Sequence, residues 1–253
     1  MIEGMARFSR APAALQAAAL DAVLGLPADP AAHGGRLLIG ITGPPAAGKS
    51  TLAAALANVL TASHGRSAVA VGMDGFHLAN SELQRLGLSE RKGAPQTFDA
   101  AGFVALLRRL RDPESGLVYA PAYSRVLNES IGGVTAVPPS VQIVVIEGNY
   151  LLLDESPWRS IRGLLDLVLY LDAPARSRRA ALVRRQRMRG LDESAARTWV
   201  DSSDEVNAEL IAATRPRADL ILERGEPTGA TTAGEGRATR SDGATPEAGR
   251  AAS

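Results

Sequence analysis

Residues 43–50 read Gly-Pro-Pro-Ala-Ala-Gly-Lys-Ser, a G-x-x-x-x-G-K-S run between an apolar segment of strand length (36–42, RLLIGIT) and a helical stretch (51–60, TLAAALANVL). Nothing else in the 253 residues restricts the fold as tightly. A strand that feeds a glycine-rich turn and then a helix begins an α/β layer built on a parallel sheet. Gly43 and Gly48 allow backbone conformations that a Cβ would hinder, so that successive N–H groups turn inward. Together with the positive end of the following helix, those donors form a cradle for phosphate. The residues expected to hold a nucleotide are therefore Gly43, Pro44, Pro45, Ala46, Ala47, Gly48, Lys49, Ser50 and Thr51. Lys49 would reach the β and γ oxygens of a triphosphate, and Ser50 would offer its hydroxyl to Mg²⁺. An accidental glycine-rich turn would not need strand, complete motif and helix together.

The remaining chain fits that start. Apolar runs at 67–73, 141–146, 164–171 and 219–222 have strand length and suit strands covered on both faces. Helical patterning occupies 11–26, 99–111, 174–189 and 192–214. The expected fold is α/β: a P-loop NTPase with an open parallel sheet, helices on both faces and an arginine-rich helical lid. Residues 1–35 read as an N-terminal helical extension, 36–223 as the catalytic domain, and 224–253, nearly devoid of large apolar residues, as a disordered tail. The N-terminal stretch is alanine-rich and interrupted by Glu3 and Asp21, which suits a short packed helix better than a targeting segment. No apolar run approaches the length of a membrane span. Cysteine is absent, which excludes disulfides, thiolate metal sites and a cysteine nucleophile, and fits a cytoplasmic setting.

A P-loop does not by itself name a reaction. A guanine-reading N-K-x-D element and an S-G-G-Q signature are both missing, and the strand at 141–146 ends in Glu147-Gly148 instead of the Asp or Asp-Glu usual in motors. Two acids follow strands: Asp74 after 67–73 and Glu147 after 141–146. In an open parallel sheet ligands bind beyond the carboxyl ends of the strands, so both acids should open into the crevice of the P-loop. There they can serve as base or orienting group for a hydroxyl and as part of a Mg²⁺ shell. The competing reading for each is a turn or cap residue, since Asp before Gly is a common turn.

Taken in order, Gly43–Ser50, Met73-Asp74-Gly75-Phe76-His77, Pro121-Ala122-Tyr123-Ser124-Arg125 and Val145-Ile146-Glu147-Gly148-Asn149-Tyr150 resemble the phosphoribulokinase/uridine kinase superfamily, which includes bacterial pantothenate kinase. The resemblance runs from about Arg36 to Leu222, and Glu147–Leu153 is most similar to the nucleoside/nucleotide kinase-like group. It implies transfer of the γ-phosphoryl group of Mg·ATP to a hydroxyl of a small molecule. It also implies that Asp74 takes the catalytic carboxylate position and Glu147, with Ser50, the metal-associated one. On the acceptor side His77, Tyr123 and Arg125 are candidates; His77 could instead fix the turn that presents Asp74. The pantothenate kinases' Y-S-H-x-x-Y-D stretch becomes Tyr123-Ser124-Arg125-Val126-Leu127-Asn128-Glu129, and an arginine fork favours a carboxylate or phosphate. The expected acceptor is a nucleoside, a sugar or a related metabolite, with pantothenate as an alternative. Arg91–Asp99 resembles a substrate-side loop, although Asp99 as a helix cap would explain that spacing equally.

Residues 176–189 contain seven arginines in fourteen positions. A nucleic-acid patch would want interleaved aromatics and a basic chain, but the formal net charge is +1. A solvated helix is one remaining reading. The other is a lid that excludes water and neutralises charge on the transferring phosphoryl group. Spacing puts Arg184 with Arg187 and Arg185 with Arg189 on neighbouring faces without deciding which pair meets the phosphates; Arg185 and Arg189 are taken, with Lys49, as the catalytic cations. A nucleotide-binding switch without an acceptor is the rival from another class, and a homodimer is compatible with everything above.

Overall fold

The computed structural model describes residues 12–27 and 35–225. Along the chain they form α1 (Ala13–Leu24), β1 (Leu37–Thr42), α2 (Lys49–His64), β2 (Ala68–Gly72), α3 (Asn80–Arg85), α4 (Ala100–Arg111), β3 (Val118–Ser124) and β4 (Glu129–Val137). These are followed by β5 (Ile143–Glu147), β6 (Leu167–Asp172), α5 (Ala175–Met188), α6 (Glu193–Trp199), α7 (Glu205–Ala212) and β7 (Leu220–Glu223). Five strands make one sheet in the order β2-β5-β1-β6-β7, and every neighbouring pair is parallel.

Alternation along the central strands explains the layers. Leu38, Val144, Ile146 and Val168 enter one core with Phe103, Leu107 and Leu110 of α4. Leu37, Ile39, Ile41, Ile143 and Val145 enter the other, against Leu52, Leu56 and Leu60 of α2 and Leu15, Ala19 and Val23 of α1. Both faces are thus dry, as a parallel sheet requires. Asp99 does cap α4, its carboxylate accepting from Gly102 N at 2.8 Å.

Two departures from the sequence reading are informative. Residues 118–137 form an antiparallel hairpin, β3–β4, with a register shift between Ala120 and Ala122 around Pro121. The single helix expected over 192–214 is instead α6, a π-helical turn at Val200–Asp204, and α7. Of the proposed tail only Arg224 and Gly225 lie among the described residues, and Arg224 is tied down: its N–H donates to Asp172 O at 2.8 Å and its Nη1 to Ala47 O at 3.1 Å.

Candidate active site

Parallel strands place their carboxyl ends on one edge of the sheet, and there β1 runs into the P-loop, β2 into Asp74, and β5 ends on Glu147. The loop needs its glycines: a Cβ at Gly43 (φ +144°) would overlap the Leu171 carbonyl, and Gly48 sits at φ +106°. Ala46 is also left-handed, at φ +61°. Lys49, 7% exposed, donates from Nζ to Gly43 O (2.8 Å) and Pro44 O (3.0 Å). Burial brings its pKa down to about 8 against the pull of Glu147 and Asp74. Ser50 Oγ donates to Glu147 Oε1 at 3.0 Å, while burial and then the nearby Asp74 charge push Glu147 up to about 7.

These groups line a cavity of about 370 Å³, with Pro45, Ala46, Gly48 and Thr51 on the P-loop side. Asp74, Glu147, His77, Tyr123 and Arg125 all reach it. From α5 the cavity receives Arg185 and Arg189, whereas Arg184 and Arg187 line a separate surface depression with Glu193 and Arg197. Gly43, Pro44 and Ala47 shape the loop but do not face this cavity: Ala47 is fully buried, and Pro44 lines a second cavity of about 500 Å³ with Asp172, Arg178 and Arg224.

His77 lines the cavity and also braces the turn that presents Asp74. Its Nδ1 lies 2.8 Å from Asp74 O, so a proton on Nδ1 fixes the turn that carries Asp74. Its ring stacks between Phe98 (4.0 Å) and Tyr123 (4.8 Å), and burial lowers its pKa. Gly75 lets that turn press against β3, because a Cβ there would run into Pro121 O. Tyr123 Oη donates to Asn128 Oδ1 at 2.7 Å.

Several wall residues were not assigned from sequence. Lys92 donates to Asn80 Oδ1 (2.6 Å) and Asn128 O (2.8 Å) and lies 5.2 Å above the Tyr123 ring. Its loop is held by Tyr150 Oη, which donates to Gly93 O at 2.5 Å. From the π-helical turn and α7 come Asp204 and the buried Asn207, and Trp199 at the end of α6 also lines the cavity. Burial raises the Asp204 pKa and leaves its Oδ2 without a hydrogen bond among the described residues. Arg178, 7% exposed, joins α5 to α7 through Glu205 (3.3 Å) and donates to Pro45 O at 3.5 Å.

The donor set fits a magnesium nucleotide. Mg²⁺ favours hard oxygens and is usually held by one or two carboxylates or hydroxyls plus phosphates and water, which Ser50 and Glu147 match. No cluster of three or more His, Cys, Asp or Glu that could hold a metal ion occurs among the described residues. No described helix is long and apolar enough to cross a membrane.

The model of the phosphoribulokinase/uridine kinase family matches residues 38–231. The chain belongs to that family. Its members are kinases, phosphotransferases acting on hydroxyl-bearing substrates, and this chain is one of them. A Schizosaccharomyces pombe protein named "Putative uridine kinase C227.14" is 33% identical over 201 residues, covering 76% of this chain and 85% of that one. A pantothenate kinase from Chelativorans sp. is 34% identical over 218 residues, covering 74% and 67%. The crystal structure of a "putative fructose transport system kinase" from Silicibacter sp. TM1040 superposes with a TM-score of 0.74 at 39% identity, covering 82% of this chain and 98% of that one. The family's P-loop scaffold is the sheet and loop described above.

Proposed function

We propose that this kinase uses Mg·ATP to phosphorylate a hydroxyl of a small polar metabolite: a nucleoside, a sugar or a related compound. The observation that carries the reading is the shared cavity, in which Lys49 and Ser50 of the P-loop stand beside two strand-end carboxylates, Asp74 and Glu147. Mg·ATP would supply the γ-phosphoryl group, whose bond to the bridging oxygen breaks as its bond to the acceptor oxygen forms. Asp74 orients the acceptor hydroxyl and takes its proton. Lys49 turns its ammonium from Gly43 O and Pro44 O toward phosphate oxygens, while Ser50 and Glu147 hold the metal. Arg185 and Arg189 neutralise charge and exclude water from the α5 side. The second cavity, behind Pro44 at the ends of β6 and β7, offers room for a base on the side away from the acceptor. Dependence on ATP supports a cytoplasmic location.

Names among the relatives point to different acceptors, so the acceptor rests on this chain's own cavity. A coupled assay of ADP release with and without nucleosides, sugars, pantothenate and phosphorylated sugars tests the reading. Stimulation by an acceptor, with one phosphorylated product per ADP, supports a kinase. Slow release indifferent to every acceptor, with inorganic phosphate as the product, would indicate a nucleotide switch.

A further inference from the structure

Nine arginines outside the cavity, Arg85, Arg111, Arg162, Arg178, Arg179, Arg187, Arg197, Arg215 and Arg217, each lie within ion-pair distance of a carboxylate. Among the described residues Lys92, Arg125, Arg185 and Arg189 have no carboxylate within that distance. They also repel one another: Arg125 and Arg189 act on Arg185 against the pull of Asp74 and Asp204, and Arg189 acts on Lys92 against that of Glu129.

Their order along the cavity separates two duties. Arg185 is the one that acts on Lys49, which puts it at the P-loop end. Arg189 acts on His77, Lys92 and Tyr123, which puts it toward the far end, while Arg125 acts on Tyr123 and also on Glu147 and Arg185 and so stands between the two ends. Lys92 and Arg189 stand where the 370 Å³ cavity meets a neighbouring one of about 770 Å³ that they also line. An ammonium has three N–H donors, and Lys92 spends two on Asn80 and Asn128, leaving one for the cavity. Those two bonds also hold it in place, so little side-chain freedom is lost on binding. Lysine occurs only twice in this chain, at 49 and 92, and both line the same cavity.

Resting on the kinase reading above, we infer that the acceptor carries, besides its reacting hydroxyl, a separate anionic group, a phosphate monoester or a carboxylate, bound between Lys92, Arg125 and Arg189. Unpaired cations crowded in one cavity are costly in the free protein, and an anion there relieves their repulsion. The guanidinium groups present forks that match either oxyanion.

Two measurements test this. With the P-loop saturated by a non-hydrolysable ATP analogue and Mg²⁺, titration calorimetry follows the binding of inorganic phosphate and of glycerate. At least one should bind, and Lys92→Gln, Arg125→Gln and Arg189→Gln should each weaken it by about tenfold, the scale of a lost charge-assisted hydrogen bond. Affinity for the ATP analogue should stay within a few-fold for Lys92→Gln and Arg125→Gln. The second measurement compares kcat/KM for matched pairs: uridine with its 5′-monophosphate, fructose with fructose 6-phosphate, and panthenol with pantothenate. The charged partner should win by about tenfold or more, and whether phosphate or carboxylate gains more distinguishes the two sources. Failure of both anions to bind, or turnover equal or better with neutral partners, overturns the anionic acceptor while leaving the kinase standing. ADP release that no acceptor stimulates, with all phosphate appearing as inorganic phosphate, overturns the kinase reading and this inference with it.

Discussion

At the scale of single residues, a half-buried carboxylate and a buried lysine share the space where a metal nucleotide would sit, and desolvation works against both charges. Glu147 is raised from 4.5 to about 7. Between those values the folded chain keeps a proton that the unfolded chain has released, so stability falls as pH rises through that window. Above about 7 the full cost of the desolvated charge is present. Glu147→Gln, melted in EDTA without nucleotide, is therefore expected to be more stable than the parent at pH 8, with the gap closing toward pH 4.5. Calorimetric melting across that range checks it, and a gap that widened on acidification would reverse the assigned sign. Lys49, lowered to about 8, has the opposite slope: its stability contribution is present above its unfolded value of 10.5 and lost as pH falls through 8. The free site is thus electrostatically poised for a ligand that brings its own charges.

Among the elements, α5 and the broken α6–α7 segment connect the arginine face to the P-loop. Arg178 is the link, bonded to Glu205 of α7 and to Pro45 O. Glu205→Gln leaves Arg178 buried without its counter-charge; discounting for the partly exposed carboxylate, the expected loss is about 1–3 kcal/mol in urea denaturation, with a raised KM for ATP. Unchanged values for both would remove the link. The strand–loop–helix of the nucleotide site and the strand-end acids were legible because each is local, a motif of eight residues or an acid directly after an apolar run. The β3–β4 hairpin was not, since Pro121 and the Gly132-Gly133 pair break the alternation and most of β4 is exposed. Lys92 was marked only as part of the substrate-side loop 91–99, and Asp204 and Asn207 went unassigned, because only the packing of the hairpin, that loop and the π-helical turn against one another makes them neighbours. On α5, spacing alone defined two arginine pairs, and the tertiary packing turns Arg185 and Arg189 inward.

For the whole molecule, the described chain closes on itself at the P-loop. Strand β7 lies at the sheet edge, and the residue after it reaches back to Ala47 O. Ending the chain after Gly225 should therefore leave the melting temperature unchanged, because residues 226–253 contain almost no large apolar side chain. Ending it after Glu223 removes both Arg224 hydrogen bonds and should lower the melting temperature by about 2–4 °C while weakening ATP binding. Equal melting of the two truncations would show that Arg224 contributes nothing. The central claim is that the strand edge brings P-loop, Asp74 and acceptor together for transfer to a hydroxyl. The most direct measurement follows label from [γ-³²P]ATP into phosphorylated acceptor and into inorganic phosphate, for the parent chain and for Asp74→Asn. Label should pass to the acceptor in the parent, and transfer should fall by about 10²–10⁴-fold in the variant while ATP affinity holds within a few-fold. Label appearing only as inorganic phosphate in the parent, or near-normal transfer by Asp74→Asn, would contradict it.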